Sequence, residues 1–229
     1  MSWRDYWNTD HPIYVNQRHR LLHYEGLARD IAAYIPSPDA IVLDYGCGEA
    51  EAAARVAQGC AVLNLFDTAP NVRASLARRF AGEPKIRVLD EAALEALAPE
   101  SVDYVVCVSV LQYLTREELG EALDLWREKL KEGGRLVVAD VIPPDLSPLA
   151  DIQALLAFAL RGGFFIAACL GLVRTFFSDY RKLRGQLGLT TYGQGDFLGL
   201  LAAHGFKGER AAQNFGHNPA RMTFVATRL

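Results

Sequence analysis

Short apolar runs that end in a polar residue recur along the chain, separated by stretches of helical spacing. Ile41-Val-Leu-Asp44, Ala61 to Asp67, Ile86 to Asp90, Ser101 to Ser109 and Arg135 to Asp140 read as five strands. Their near-continuous apolar character is what buried parallel strands require. Helices are expected over Ala50 to Gln58, over Asn71 to Phe80 behind Pro70, and from Thr115 to about Leu130. Thr115 and Glu118 form a capping box for the last of these, and Glu132-Gly-Gly134 stops it. Strand and helix alternating in this way predict a doubly wound parallel sheet. Its strands turn their C-terminal ends to one rim, where Asp44, Asp67, Asp90, Ser109 and Asp140 gather.

Outside this block the pattern changes. Arg20 to Ile35 has helical spacing, Pro36 ends it, and the preceding residues interleave Trp3, Tyr6, Trp7 and Tyr14 with Arg4, Arg18, His11 and His19. Residues 1–38 are read as a helical cap, lying on the sheet edge or over a substrate pocket. Residues 145–192 are read as a helical insertion, longer than a minimal fold needs. Leu155 to Phe177 is apolar there, with Gly162 to Val173 uncharged between Arg161 and Arg174. A run so short cannot span the hydrocarbon of a bilayer as a helix. Three readings stay open: a helix packed on the core, a lid over an apolar pocket, or a membrane-surface or dimer face. Arg181, Lys182 and Arg184 then read as a solvated basic run. A helix over Gly195 to His204 and strands over Phe206 to Ala211 and Met222 to Thr227 close the chain, giving one domain over 1–229.

Composition narrows the class. With 229 residues, 51% hydrophobic and 22% charged, the chain suits one α/β domain with a substantial core. A net charge of −3 gives no general attraction to a phosphate backbone, which disfavours nucleic acid. Cys47, Cys60, Cys107 and Cys169 are widely spaced with no CxxC pair, as expected of reduced thiols in the cytoplasm. The N-terminus lacks the apolar stretch of a signal peptide.

Chemistry enters at Gly46 and Gly48, where a strand turns into a helix and a ligand can approach the backbone. The dinucleotide fingerprint would need a third glycine, and position 51 is Glu. Asp44 facing the turn would repel a pyrophosphate and suits a ligand bearing an ammonium or sulfonium. Val42-Leu-Asp-Tyr-Gly-Cys-Gly48 resembles the first motif of the class I S-adenosylmethionine (SAM) dependent methyltransferases, and the resemblance runs from about Ala40 to Asp140. It implies a Rossmann-like, doubly wound, seven-stranded and mostly parallel sheet, with the last two strands antiparallel and strand seven beside strand five. It also implies a SAM site of Asp44, Gly46, Cys47, Gly48, Asp67, Thr68, Asp90, Glu91 and Ser109. In it Asp67 accepts the ribose hydroxyls, and Asp90 with the backbone at Glu91 meets the adenine.

Methyl transfer from a sulfonium needs alignment and dryness more than a fixed catalytic motif. A base is needed only for a protonated nucleophile. His217, on the loop expected to return beside Asp140, is the first candidate with Asp140 itself, followed by His19, His23 and Tyr14. Tyr14, His19 and Tyr113 are expected in the substrate pocket. No metal site is expected, because the His19–His23 spacing lacks a third ligand. The Asn/Asp-Pro-Pro-aromatic motif of base-amino methyltransferases is missing after Ser109. The acceptor is therefore expected to be a small, partly apolar molecule methylated at O, N or C. Peripheral membrane contact and a homodimer stay open. A non-catalytic module binding SAM or S-adenosylhomocysteine (SAH) is the alternative, and a nicotinamide-dependent reductase a weaker one, since no Tyr-x-x-x-Lys pair occurs.

Overall fold

A computed structural model describes residues 3–8, 14–176 and 188–229. His11 and the basic run Arg181, Lys182 and Arg184 lie outside the described residues. Seven strands form one sheet in the order β3-β2-β1-β4-β5-β7-β6. They are β1 (Ile41–Tyr45), β2 (Val62–Phe66), β3 (Ile86–Leu89), β4 (Val102–Val108), β5 (Leu130–Val141), β6 (Phe206–Arg210) and β7 (Met222–Arg228). The first five are mutually parallel, and β7 runs antiparallel to both β5 and β6. This is the sheet that the apolar runs and the resemblance imply.

The helices cover both faces. On one face α6 (Arg116–Lys129) and α9 (Gln194–Ala203) contribute Leu119, Leu123, Trp126, Phe197 and Leu201 to a core shared with Leu43, Val105 and Phe224. On the other, α2 (Gln17–Ala32), α3 (Ala53–Ala57) and α4 (Pro70–Arg79) close over Val42, Leu63, Tyr104 and Val137. Burial on both sides explains why β1 and β4 read as unbroken apolar runs rather than as alternation. The capping box is made as the sequence predicts: Glu118 N–H donates to Thr115 Oγ1, and Glu118 accepts from Thr115 N–H. Pro70 stands in the first turn of α4, where no N–H is required.

Several boundaries differ from expectation. The helix predicted from Ala50 begins only at Ala53, because Ala50 takes a left-handed φ of 40° and prolongs the turn. A short helix α5 (Glu91–Glu95) follows β3, and a 3-10 turn (Leu111–Tyr113) follows β4. β5 starts at Leu130, so Glu132-Gly-Gly134 forms an irregularity between Val102 and Tyr104 pairing rather than a stop outside the sheet. The insertion forms α7 (Pro148–Gly162) and α8 (Phe165–Phe176), joined at Gly163 in the left-handed region. Ala159, Phe164 and Ala168 make a small cluster with Val15 and Leu22 near α2, separate from both sheet cores. Ahead of all this, α1 (Trp3–Trp7) packs on Tyr113.

At the head of β1 the chain leaves no room for a side chain. Gly46 has φ +73°, and a Cβ there would lie 2.4 Å from Val110 Cγ2. Gly46→Ala should therefore lose at least about 1–2 kcal/mol from the left-handed backbone alone. The midpoint of urea unfolding measures this, and adding Val110→Ala should recover only the part due to the clash.

Candidate active site

The glycine turn is fastened to β2. Gly46 and Cys47 N–H both donate to Phe66 O, at 2.8 and 3.0 Å, and Gly48 N–H donates to Asp67 Oδ2 at 2.9 Å. The turn therefore offers close approach to a ligand, with these amide groups already engaged. Asp67 Oδ1 accepts from Ala69 N–H at 2.9 Å. Each carboxylate oxygen keeps a second lone pair, so the role of Asp67 as acceptor of two hydroxyls stays chemically available.

Asp44 is in the opposite condition. Among the described residues none bonds its carboxylate, and burial, with the Asp67 charge adding to it, raises its pKa to about 7. An anion facing another anion away from water is stabilised by a cation, and among the described residues no Lys or Arg side chain supplies one. Beside it, burial pushes the Cys47 thiol well up, with Asp44 adding to the effect, so Cys47 acts as a small wall residue.

A cavity of 1810 Å³ opens on this turn. That is more than a single small ligand fills and leaves room for two reactants. Asp44, Gly46, Cys47, Gly48, Asp67, Thr68 and Ser109 all line it, as do Tyr14 and Tyr113 from the expected substrate pocket. Asp90, Glu91, Asp140, His19 and His217 are not among its lining residues. Asp90 instead caps α5 by accepting from Ala93 N–H at 2.8 Å, and Glu91 pairs with Arg73 at 2.8 Å.

Asp140 is likewise engaged. Its Oδ2 accepts from Ser109 Oγ and from Arg221, each at 2.7 Å, and Asn214 donates to Oδ1. Ser109 and Asp140 both have positive φ, 59° and 64°, so the rim between β4 and β5 holds local backbone strain. The loop after β6 returns to this rim as the topology requires, through Asn214. His217, however, stacks on Phe158, ring centroids 5.0 Å apart, and no hydrogen bond joins it to Asp140 among the described residues. His19 stacks on Phe164 and accepts from Val15 N–H at Nδ1. His23 lines the cavity between Tyr14 and Tyr24. Burial first, then the neighbouring histidines, lowers His23 to about 3; burial and His217 lower His19 to about 4. Burial also lowers His217. All three imidazoles are neutral near pH 7.

Three features were not visible in the sequence. Arg20 pairs with Glu49 and, at 2.6 Å, with Glu51, holding α2 to the glycine turn. Asn71 donates twice to Asn8, from its backbone N–H to Oδ1 at 3.0 Å and from its side-chain amide to the carbonyl at 2.8 Å, which ties the residue after α1 to α4. Trp3 and Trp7 thereby stand against Tyr113, with centroids 4.7 and 5.3 Å away, and wall the cavity. The aromatic density of the N-terminus was the available signal. Gln112, buried with Oε1 unbonded, is a further polar group in that wall.

Among the described residues no group of His, Cys, Asp and Glu could hold a metal ion. The fit is to an organic cation: an anion without a partner at Asp44, a turn without side chains, and a two-oxygen acceptor at the next strand end. This is a doubly wound methyltransferase fold. Similar folds include magnesium protoporphyrin IX methyltransferase from Synechocystis PCC 6803, crystallised with SAH. It is 18% identical, with a TM-score of 0.59 over 99% of this chain and 93% of that one. A SAM-dependent methyltransferase from Mesorhizobium loti is 16% identical, with a TM-score of 0.58 over 90% of this chain and all of its own. No curated protein matches the chain in sequence. Residues 42–134 match the family model described as a methyltransferase domain, a span that holds Asp44, both glycines, Asp67 and Ser109. Residues 42–134 therefore carry a methyltransferase domain, set in a sheet of the methyltransferase fold.

The sign of the Asp44 shift gives a test. The ligand-free protein keeps a proton there below about pH 7, and a cation binds the ionised form, so affinity falls as pH falls. By calorimetric titration SAM affinity should drop about tenfold between about pH 8 and pH 6 from this group, and Asp44→Asn should abolish that slope. Asp67→Ala should weaken SAM binding by about 1.5–3 kcal/mol, the loss of hydrogen bonds to a charged acceptor. Unchanged affinity would remove Asp67 from the site.

Proposed function

We propose that the chain is a SAM-dependent methyltransferase that methylates a small, uncharged and partly apolar acceptor at O, N or C, held in the half of the cavity walled by Tyr14, His23 and Tyr24. The wall of packed rings at Tyr14, His23 and Tyr24, in which burial holds His23 uncharged, is the observation that carries this reading. A charged acceptor would have to give up hydration for a wall of rings, whereas an uncharged one loses little. The net charge of −3 supports a small acceptor over a nucleic acid.

Bound SAM supplies an electrophilic methyl on a sulfonium, a good leaving group. Asp44 offsets the positive charge of the cofactor, and Asp67 receives its ribose hydroxyls. Gly46 and Gly48 let it lie close to the sheet, while Val110 backs the turn. Trp3, Trp7 and Tyr113 exclude water from the other side, which keeps the methyl group for the acceptor. The low basicity of His23 makes it a hydrogen-bond partner that orients a hydroxyl or amine rather than a strong base, since general bases work best near the ambient pH. Asp140, committed to Arg221 and Ser109, fixes the rim. His217 acts behind His23 as part of its apolar support.

His23→Phe should leave SAM affinity unchanged and lower turnover at least about tenfold, because misplacement of the acceptor alone has effects of that size. His217→Ala should likewise spare SAM binding, with a smaller loss of turnover. SAH release from a panel of neutral hydroxy and amino compounds measures both. Turnover confined to acceptors carrying a carboxylate or phosphate would overturn the reading.

A further inference from the structure

The surface of α8 is inverted with respect to that of a water-facing helix. Its inward side carries small residues: Ala168 is fully buried, and a Cβ on Gly171 would come within 2.2 Å of Val15 Cγ1. Its outward side carries the large ones. Ile166 is 77% exposed, Leu170 58% and Val173 60%, with Phe165 and Cys169 completing the stripe at helical spacing. Leu160, near the end of α7, adds to them at 70%. A lone exposed leucine needs no explanation, but a contiguous stripe with no polar residue in it is a binding surface. Among the described residues no helix is long and apolar enough to cross a membrane.

Charge distinguishes the occupants. No carboxylate occurs between Asp151 and Asp179, and the sequence there holds Arg161 and Arg174. The chain as a whole is nevertheless acidic, with a net charge of −3. Arg161 is exposed at the end of α7, beside the apolar stripe. A second copy of the chain would bring one basic segment against another, and like charges repel. An apolar stripe in a basic, acid-free segment fits instead the interface of an anionic bilayer, with the helix lying in the membrane plane.

We infer that α8, with the end of α7, docks the enzyme on an anionic membrane surface. Docking orients α2, on which this helical pair packs and which carries His23 and Tyr24 into the cavity. The inference stands apart from the identity of the acceptor, because its test measures binding and not turnover.

The test is co-sedimentation of the full chain with vesicles of phosphatidylcholine, with and without about 30% phosphatidylserine. The chain should pellet with the anionic vesicles, not with phosphatidylcholine alone, and raising salt to about 0.5 M should release it. Ile166→Glu combined with Leu170→Glu should weaken vesicle binding at least about tenfold, from the lost burial of two apolar side chains. Arg161→Ala should weaken it about fivefold, the effect of one basic residue near such a surface. SAM titration of each variant, with unchanged affinity expected, reports that the fold is intact. No pelleting with anionic vesicles would overturn the inference, as would undiminished binding by the double variant. A dimer in sedimentation velocity that the double variant dissociates, with no vesicle binding by the parent, would assign the stripe to self-association and overturn it as well.

Discussion

A half-buried carboxylate that no cation pairs among the described residues is the constraint around which this molecule is arranged. Asp44 ends β1 in the middle of the sheet, with Asp67 one strand away adding to its destabilisation. Its pKa near 7 is raised above the ordinary carboxylate value. The folded state therefore holds a proton there that the unfolded chain gives up above about pH 4. Stability from this group is present at low pH and is lost as pH rises towards 7, so at neutral pH the ligand-free fold carries an unfavourable charge. A cationic ligand would remove that cost, and a pyrophosphate would add to it.

The remainder of the site brings a walled cavity to that charge. Gly46 and Val110 meet so closely that the floor admits no side chain, and the turn is bonded to β2 by three amide groups. The roof comes from elements remote in sequence: α2 through Arg20 with Glu49 and Glu51, and α1 through Asn8 with Asn71. These are exposed or half-exposed polar links of the kind that contribute little stability individually. They join the roof to the glycine turn and to α4. Behind the roof, α7 is fastened to the strained rim: Arg221 bridges Asp140 at 2.7 Å and Asp151 at 3.1 Å.

Much of this was legible in the chain because it depends on neighbours a few residues apart. The five apolar runs became five parallel strands, Thr115 and Glu118 closed their capping box, and Asp44 with Gly46 and Gly48 formed the turn that the motif implies. Ala50 shows the limit even of local reading, since its left-handed backbone delays α3 by three residues against a helical pattern. Side-chain partners were less legible. Asp90 and Asp140 both end strands on the rim, as expected, yet one caps a helix and the other holds an arginine 81 residues away.

The sequence by itself determined the sheet, the glycine turn and the acids at the strand ends, because periodicity and turn chemistry act over one element at a time. Only the tertiary structure decided which of those acids faces the cavity, and that His23 rather than His217 lines it. It alone decided that α8 turns its large side chains outward. Each of these depends on which distant segment arrives first at a given side chain, and burial, charge and partner at such positions are properties of the assembled layers rather than of any stretch of chain.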